Sequence, residues 1–548
     1  MRSALPLICI LLALPVLGVL AAWFGIDANA LAVLEHQAST VLTGYAVQSL
    51  LLALGVGLGV LAMGCGAAIM VSLFEFPGRR VFEWALLLPL AMPAYVLAYA
   101  WTDALQFSGP LQQALRAATG WQGALWPDVR SLWGATALFV FCLYPYVYIL
   151  ARGALGDRAV PMLEAARMLG AGGRRRLFEV ALPLARPALA AGVGLALMET
   201  LADYGVGSYF GLSTFSTGIY KAWIVMNDRV AAAQLASLLL LVVAVLLWFE
   251  RRAQKRLRFG SKPGSASAAD ARLHPLHGRA AALAVGLCAF PVLMGFVLPV
   301  AWLSWLLGRE AMLSEFGLPM ARFAQWAWAS FRLASAAAFL ALGLALLLAF
   351  VLRRHHTGVL HWAARVLSLG YAVPGAVIAV GILLPVGLAQ MHFPALPIAA
   401  VFTGTVVGLL YAYLVRFSAV ALQSVEAGYA RVPLAIDETA RLLGSGRLRL
   451  FWVLHLPLLK RPAAAAALLV FVDVMKELPA TLVLRPFGSD TLAVVAYNLA
   501  RDERLGEAAL PSLAIVAVGL IPVIMLSRTL RAYQQTTYKQ NDPASVEP

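Results

Sequence analysis

The sequence predicts an all-α integral membrane protein with about twelve transmembrane helices, arranged as two tandem six-helix repeats in parallel orientation. Three observations predict this fold. Hydrophobic residues make up 61% of the chain and charged residues only 13%, against roughly 25% charged in soluble domains. Apolar runs of about 20 residues, the length that spans a bilayer, fill most of the sequence. A pattern of 20 residues also occurs twice at a fixed offset of 274, which indicates two copies of one unit.

The apolar runs give the predicted spans, six on each side of a polar linker. They cover about 5–24, 49–74, 82–103, 131–151, 187–207, 231–249, 280–307, 330–352, 366–389, 395–415, 462–484 and 509–527. The first run exceeds the roughly 7 to 15 residues of a signal-peptide core, so we interpret it as a span. An even number of spans per half gives both halves one orientation and predicts a pathway between them.

These spans define the predicted domains. They are a first repeat (1–250), a cytoplasmic linker (251–279), a second repeat (280–527) and a cytoplasmic tail (528–548). Most of the 42 basic residues fall in stretches that are cytoplasmic when both termini lie inside, as the positive-inside rule requires. The net charge of +15 is therefore spread over short loops, which argues against a nucleic-acid partner. The four cysteines lie within spans, where packing rather than disulfide bonding is expected.

The repeated pattern occupies polar loops at about 157–183 and 431–457. Its matching residues are Glu164, Ala165, Ala166 and Gly170 in the first copy and Glu438, Thr439, Ala440 and Gly444 in the second. The glycines and the later Pro183 and Pro457 predict a helix, a turn and a second helix in each loop.

One face of each first loop helix is expected to face a partner. The spacing puts Leu163, Ala166 and Gly170 on one face, and Leu434, Asp437, Arg441 and Gly444 on the matching face of the second copy. The alternative is an amphipathic loop that only rests on the bilayer.

Acidic residues inside two corresponding spans form the second candidate site. Glu199 and Asp203 in the fifth span recur as Asp473 and Glu477 in the eleventh, and Tyr204 follows the first pair. Each i,i+4 pair predicts two carboxylates on one helical face, and charges at bilayer depth are unfavourable toward lipid. We expect them at the boundary of the halves or in a water-filled cavity. They line an oxygen-rich passage for a cation, bind a metal ion directly, or serve a structural role in which Lys476 pairs with an acid.

The sequence contains no glycine-rich phosphate-binding loop followed by lysine and serine or threonine. Energy for transport would then come from ATP hydrolysis on another polypeptide or from an ion gradient. A membrane scaffold without transport activity is a third alternative.

The two loops resemble the EAA loops of bacterial ABC importer permeases of type I. Two stretches, 473–492 and 201–221, are also similar to the fused permeases of ferric iron importers. The resemblance implies that the loops each engage one of two copies of a cytoplasmic ABC ATPase, which binds ATP and magnesium, with no cofactor in this chain. It also implies a periplasmic iron-binding protein as partner, a bacterial inner-membrane location and a transport subunit rather than an enzyme. Relatives that import thiamine or phosphonates share the loops, so another small solute is the alternative cargo.

Overall fold

The computed structural model describes residues 4–21, 23, 28–155, 160–258, 274–313, 317–354, 358, 364, 365, 367–430 and 432–540. This part of the chain is almost entirely helical. Its only strand pairing is the parallel contact of Phe74–Glu75 with His274–Pro275. Nine helices of the described residues are long and apolar enough to cross a membrane, and a pair bent by 92° raises the number to ten. The all-α membrane fold is therefore confirmed.

Each of the nine helices overlaps a predicted span. They are Leu42–Leu73, Leu132–Ala154, Gly173–Ala202, Arg229–Glu250, Gly278–Leu313, Met320–Arg354, Gly375–His392, Val407–Tyr429 and Leu505–Met525. The bent pair, Arg79–Ala91 with Ala94–Thr119, takes the place of the third span. It breaks before Pro93, whose extended backbone begins the second helix, as expected for a residue that cannot continue a helix.

The remaining helical elements include two that match predicted spans and several short connecting helices. They are Ala4–Ala21, Ala28–Thr40, Pro110–Thr119, Val160–Met168, Gly205–Tyr209, Phe215–Tyr220, Ile398–Gly404, Leu434–Leu442, Leu456–Met475, Pro479–Leu484 and Leu492–Arg501, with 3-10 turns at Leu88–Ala91 and Gly370–Ala372. Ala4–Ala21 corresponds to the predicted first span. The last helix extends to Gln540 and the sixth to Arg258. The predicted linker thus begins within a helix, and its residues 259–273 lie outside the described part of the chain.

Three predicted spans have the wrong limits. The fifth, expected as one helix over 187–207, is Leu182–Ala202 followed by the short helix Gly205–Tyr209. The eleventh, expected as one helix over 462–484, is Leu456–Met475 followed by a separate short helix Pro479–Leu484. The tenth, expected at 395–415, is Val407–Tyr429. Ile398–Gly404 is too short to span and ends at extended Thr405. The predicted tenth span ended at residue 415 because Arg416 interrupts the apolar run. In the structure, Arg416 lies in the middle of Val407–Tyr429.

The repeat is visible in the order of the elements. Leu132–Ala154 corresponds to Val407–Tyr429, and Leu182–Ala202 corresponds to Leu456–Met475. Both of the latter helices begin after a six-residue π-helical segment, Arg176–Ala181 in the first half and Leu450–His455 in the second. A π segment at the same place in both copies is consistent with the two-repeat fold, since π segments are rare in helical proteins.

The first helix of each half packs on the other half. Ala4–Ala21 contacts Gly375–His392, and the opening helix of the second half contacts Leu42–Leu73. A Cβ atom at Gly381 would lie 2.1 Å from the Pro15 carbonyl oxygen. Glycine therefore permits the close approach of these helices, as small residues do in membrane proteins. The halves interlock, and the boundary between them is called the seam below.

Candidate functional site

Two short surface helices, here called the loop helices, carry the repeated pattern. Val160–Met168 ends in a turn where the Ala171 amide donates to the Ala166 carbonyl at 2.9 Å. Leu434–Leu442 ends in the same way, with the Ser445 amide donating to the Ala440 carbonyl at 3.0 Å. The predicted helix, turn and helix are thus present in both copies, although residue 157 lies outside the described residues.

Gly170 and Gly444 make these turns possible. Their φ angles are 79° and 75°, in the left-handed region that side chains disfavour, and an added Cβ would meet no atom within 4 Å. Their role is therefore backbone conformation rather than close packing.

Replacing both turn glycines by alanine is expected to loosen the turns. Left-handed backbone costs an L-residue about 1–2 kcal/mol, so amide exchange at Ala171 and Ser445 should accelerate about tenfold. Hydrogen exchange measured by mass spectrometry tests this. Asparagine tolerates the left-handed region better, so Gly170→Asn with Gly444→Asn should accelerate exchange less than alanine does. Equal exchange in all three proteins would contradict this role.

Each turn presents two large apolar side chains that the sequence analysis missed. Met168 and Leu169 are 89% and 88% exposed, and Leu442 and Leu443 at the corresponding positions are 89% and 80% exposed. Contiguous exposed apolar side chains mark contact sites for proteins or membranes. The signal was available in the sequence, because an apolar pair directly precedes the turn glycine in both copies.

The predicted loop residues divide into exposed and buried groups. Glu164, Ala165, Glu438 and Thr439 are exposed, and Gly170 and Gly444 lie open at the turns, whereas Ala166 and Ala440 are half-buried. Asp437 was expected on the partner-facing side, and this expectation is wrong because the residue is only 2% exposed.

Asp437 instead anchors the second loop helix to the membrane helices. Arg353 donates to Asp437 through Nε at 2.9 Å and Nη2 at 3.2 Å, and His455 Nε2 lies 3.1 Å from Asp437 Oδ1. His455 Nδ1 in turn lies 2.9 Å from the Tyr429 hydroxyl. Burial raises the pKa of the Asp437 carboxyl, but the Arg353 hydrogen bonds and the charges of His455 and Arg353 outweigh it, so that this pKa is lowered.

Asp437→Asn is expected to destabilise the protein at neutral pH. A lowered pKa contributes stability above the unfolded value of about 3.9, and this stability is lost as the pH falls through the folded value. Removing one partner of a buried pair costs about 3 kcal/mol, so the thermal midpoint in detergent should fall at pH 7. The difference in thermal midpoint between the variant and the unchanged protein should become smaller only below about pH 4. The control is Glu438→Gln, because Glu438 is exposed. A difference in thermal midpoint between Asp437→Asn and the unchanged protein that stays constant at all pH values would contradict the lowered pKa of Asp437.

The four membrane acids line one cavity of about 130 Å³ at the seam. The polar and charged side chains that line this cavity are Tyr95, Tyr146, Glu199, Asp203, Tyr371, Arg416, Asp473, Lys476 and Glu477. Both halves contribute, as expected for a pathway between two parallel repeats. The predicted tenth span ended at residue 415 and so left Arg416 outside the membrane, and its place in this cavity is a correction.

Asp203 and Glu477 lie where their helices break, which corrects the expectation of i,i+4 pairs within continuous helices. The Asp203 carboxylate accepts the Val206 amide at 2.7 Å. Glu477 accepts the Ala480 amide at 2.8 Å and the Thr481 amide at 3.0 Å. Each acid therefore caps the short helix that follows and satisfies amides that would otherwise be unpaired at bilayer depth.

Glu199 and Asp473 stay on their helices. Tyr371 Oη donates to Glu199 Oε1 at 3.0 Å, and Lys476 Nζ lies 3.1 Å from Asp473 Oδ1. The predicted pairing of Lys476 with an acid is thus present. Arg416 Nη1 lies 3.4 Å from Glu477 Oε1. Arg416 and Lys476 both belong to the second half, and Cys142 and Ala202 lie 274 residues earlier in the first.

The cavity combines four carboxylates and three phenols with only two cationic side chains. Such an oxygen-rich, net acidic lining favours a hard cation over an anion. Within the described residues, no group of three or more histidine, cysteine or acidic side chains could hold a metal ion. The arrangement therefore suits passage of a cation rather than tight storage.

Comparisons with known proteins also indicate a transport permease. The family described as "Binding-protein-dependent transport system inner membrane component" matches residues 55–259, which include the first loop helix. The chain is 24% identical over 483 residues to the Fe(3+)-transport system permease protein FbpB 2 of Haemophilus influenzae, covering 88% of each chain. Residues 55–259 belong to the binding-protein-dependent permeases, and the chain as a whole is similar to them.

Two further relatives carry different names. The ferric transport system permease protein FbpB of Actinobacillus pleuropneumoniae is 24% identical over 76% of this chain and 61% of the relative. The putative 2-aminoethylphosphonate transport system permease protein PhnU of Salmonella paratyphi A is 26% identical over 37% of this chain and 72% of the relative. The permease is thus a membrane subunit of an ABC importer and not an enzyme, and its family works with an ATPase and a periplasmic binding protein.

Proposed function

We propose that this permease forms the translocation pathway for iron(III) delivered by a periplasmic iron-binding protein. The observation that carries the proposal is the cavity at the seam, where four carboxylates outnumber two cations. Iron(III) is a hard cation, and hard cations take oxygen ligands. Two relatives that align with three quarters or more of this chain are named as iron(III) or ferric permeases.

The two loop helices would transmit force from the ATPase. Each presents an exposed pair of apolar residues at the corresponding positions before a turn glycine, so we infer that two copies of the ATPase bind, one at each loop helix. ATP and magnesium would bind to those subunits, and both termini of the permease would lie in the cytoplasm with the loop helices. Closure of the ATPase pair would then rock the halves about the seam.

A phosphonate is the second candidate cargo. Arg416 and Lys476 place two cations beside the acids of the cavity, and a zwitterion such as 2-aminoethylphosphonate needs both signs of charge. Both cations are already within 3.4 Å of carboxylates, which leaves less positive charge for an anionic group. The charge balance therefore favours iron.

ATPase stimulation distinguishes these cargoes. The permease is reconstituted in liposomes with its ATPase, and the binding protein is added empty, loaded with iron(III) or loaded with 2-aminoethylphosphonate. Iron-loaded binding protein should raise ATP hydrolysis above the level of the empty form, whereas the phosphonate should not. Stimulation by the phosphonate alone would overturn the iron proposal.

A further inference from the structure

Hydroxyl groups from both halves converge at the seam. Ser208 Oγ lies 2.8 Å from Tyr497 Oη and donates to Tyr204 Oη at 3.3 Å. Tyr497 Oη also donates to Tyr204 Oη at 3.4 Å. Ser208 and Tyr204 belong to the first half and Tyr497 to the second. These three oxygens are called the hydroxyl cluster.

The hydroxyl cluster borders the acidic cavity. Tyr204 follows Asp203, which lines the cavity, and the Tyr204 ring stacks on Tyr220 with centroids 3.8 Å apart. The Tyr220 hydroxyl donates to the carbonyl of Pro479, another lining residue. The cluster is thus joined through these contacts to the wall of the cavity.

A seal between two membrane halves does not need hydroxyl groups. Apolar side chains would close the seam without any hydrogen bonds, whereas these hydroxyls bond one another across it. The hydroxyl cluster therefore offers oxygen atoms beside the cavity that a polar cargo could use in place of these mutual hydrogen bonds. Phenol and hydroxyl oxygens are ligands for hard cations, as carboxylates are.

The spacing of the oxygens fits one face of an octahedral cation. Bonds of about 2.0–2.1 Å to a small hard cation place neighbouring ligands about 2.9 Å apart. The three observed separations run from 2.8 to 3.4 Å. A contraction of about 0.5 Å in the longest edge would complete the face.

We propose that Tyr204, Ser208 and Tyr497 form a transit site that binds iron(III) at the edge of the cavity. This inference rests on the proposed function, which supplies the cargo. Binding replaces the two phenolic protons by the metal ion, and the protons are released to water. Because the ligands come from both halves, the site exists only while the seam is closed there, and rocking of the halves would release the ion.

The test uses the complete complex of permease and ATPase. Ferric nitrilotriacetate is added without nucleotide, and the visible phenolate-to-iron(III) charge-transfer band is recorded. The unchanged complex should show the band, and Tyr204→Phe with Tyr497→Phe should lose it. Iron uptake from the loaded binding protein should fall about tenfold in this double variant, equivalent to about 1.4 kcal/mol. Ser208→Ala should weaken the band without removing it.

Tyr99→Phe is the matched control. Tyr99 is a buried tyrosine outside the hydroxyl cluster, with its ring 4.9 Å from that of Tyr209, and its hydroxyl has no hydrogen-bond partner among the described residues. The Tyr99→Phe complex should keep both the charge-transfer band and normal iron uptake. The transit site is overturned if the unchanged complex shows no band, even when uptake falls in the double variant, because the cluster would then act only as a gate. Failure of the unchanged complex to import iron would instead overturn the proposed function.

Discussion

Leu169→Asp combined with Leu443→Asp is expected to leave a folded permease that no longer retains its ATPase. Both side chains are at least 80% exposed, so their replacement disturbs little within the permease. A leucine buried in a partner surface contributes about 1.5–3 kcal/mol, and an unpaired charge there adds a further penalty. ATPase affinity should therefore fall at least about 100-fold. Co-purification in detergent, followed by titration with the ATPase, measures this change.

The matched control replaces the same residues by methionine. Leu169→Met with Leu443→Met keeps the apolar surface and nearly the volume, and Met168 shows that methionine occurs at the neighbouring position. This control should retain the ATPase. Normal affinity in the aspartate variant would show that the exposed apolar pairs are not the docking surface, and would favour a loop that rests on the bilayer.

Glu199→Gln is expected to impair iron uptake without loss of folded protein. Glutamine keeps the oxygen that accepts the Tyr371 hydroxyl at 3.0 Å, so the substitution removes charge and little else. Loss of one carboxylate from the cavity should lower uptake at least about tenfold, which corresponds to 1.4 kcal/mol of cation stabilisation. Radioactive iron uptake into reconstituted vesicles gives the rate.

Two variants identify the cause of any loss. Tyr371→Phe removes the hydrogen bond but keeps the charge, and it should retain most of the uptake. Glu477→Gln should instead reduce the thermal midpoint, because one amide oxygen replaces two carboxylate oxygens that accept Ala480 and Thr481, at a cost of about 1–3 kcal/mol. Unchanged uptake in Glu199→Gln would assign the cavity acids a structural role alone.

The membrane fold was predictable because its signals are local. The length of an apolar run predicts a membrane span. The glycine in each copy of the repeated loop predicts the turn between its two helices. Residues Glu199 and Asp473 were also placed correctly, since charges at bilayer depth avoid lipid. Their shared cavity follows from the same argument applied to both halves.

Other features depend on distant partners and escaped prediction. Asp437 is buried because Arg353, 84 residues away, reaches it, and no local pattern reports that contact. The breaks at Asp203 and Glu477 did have a local signal, because Gly205 and Pro479 follow these acids by two residues, but the long apolar runs were interpreted as continuous helices. Arg416 shortened an apolar run and was placed in a loop, although Glu477 and the cavity accommodate its charge.

Transport in sealed vesicles tests the central claim most directly. The permease, its ATPase and the iron-loaded binding protein are combined, and iron accumulation is followed with ATP, without ATP, and without the ATPase. The account predicts accumulation only when ATP, ATPase and loaded binding protein are all present. Accumulation by the permease alone under an ion gradient would contradict it and identify a secondary transporter.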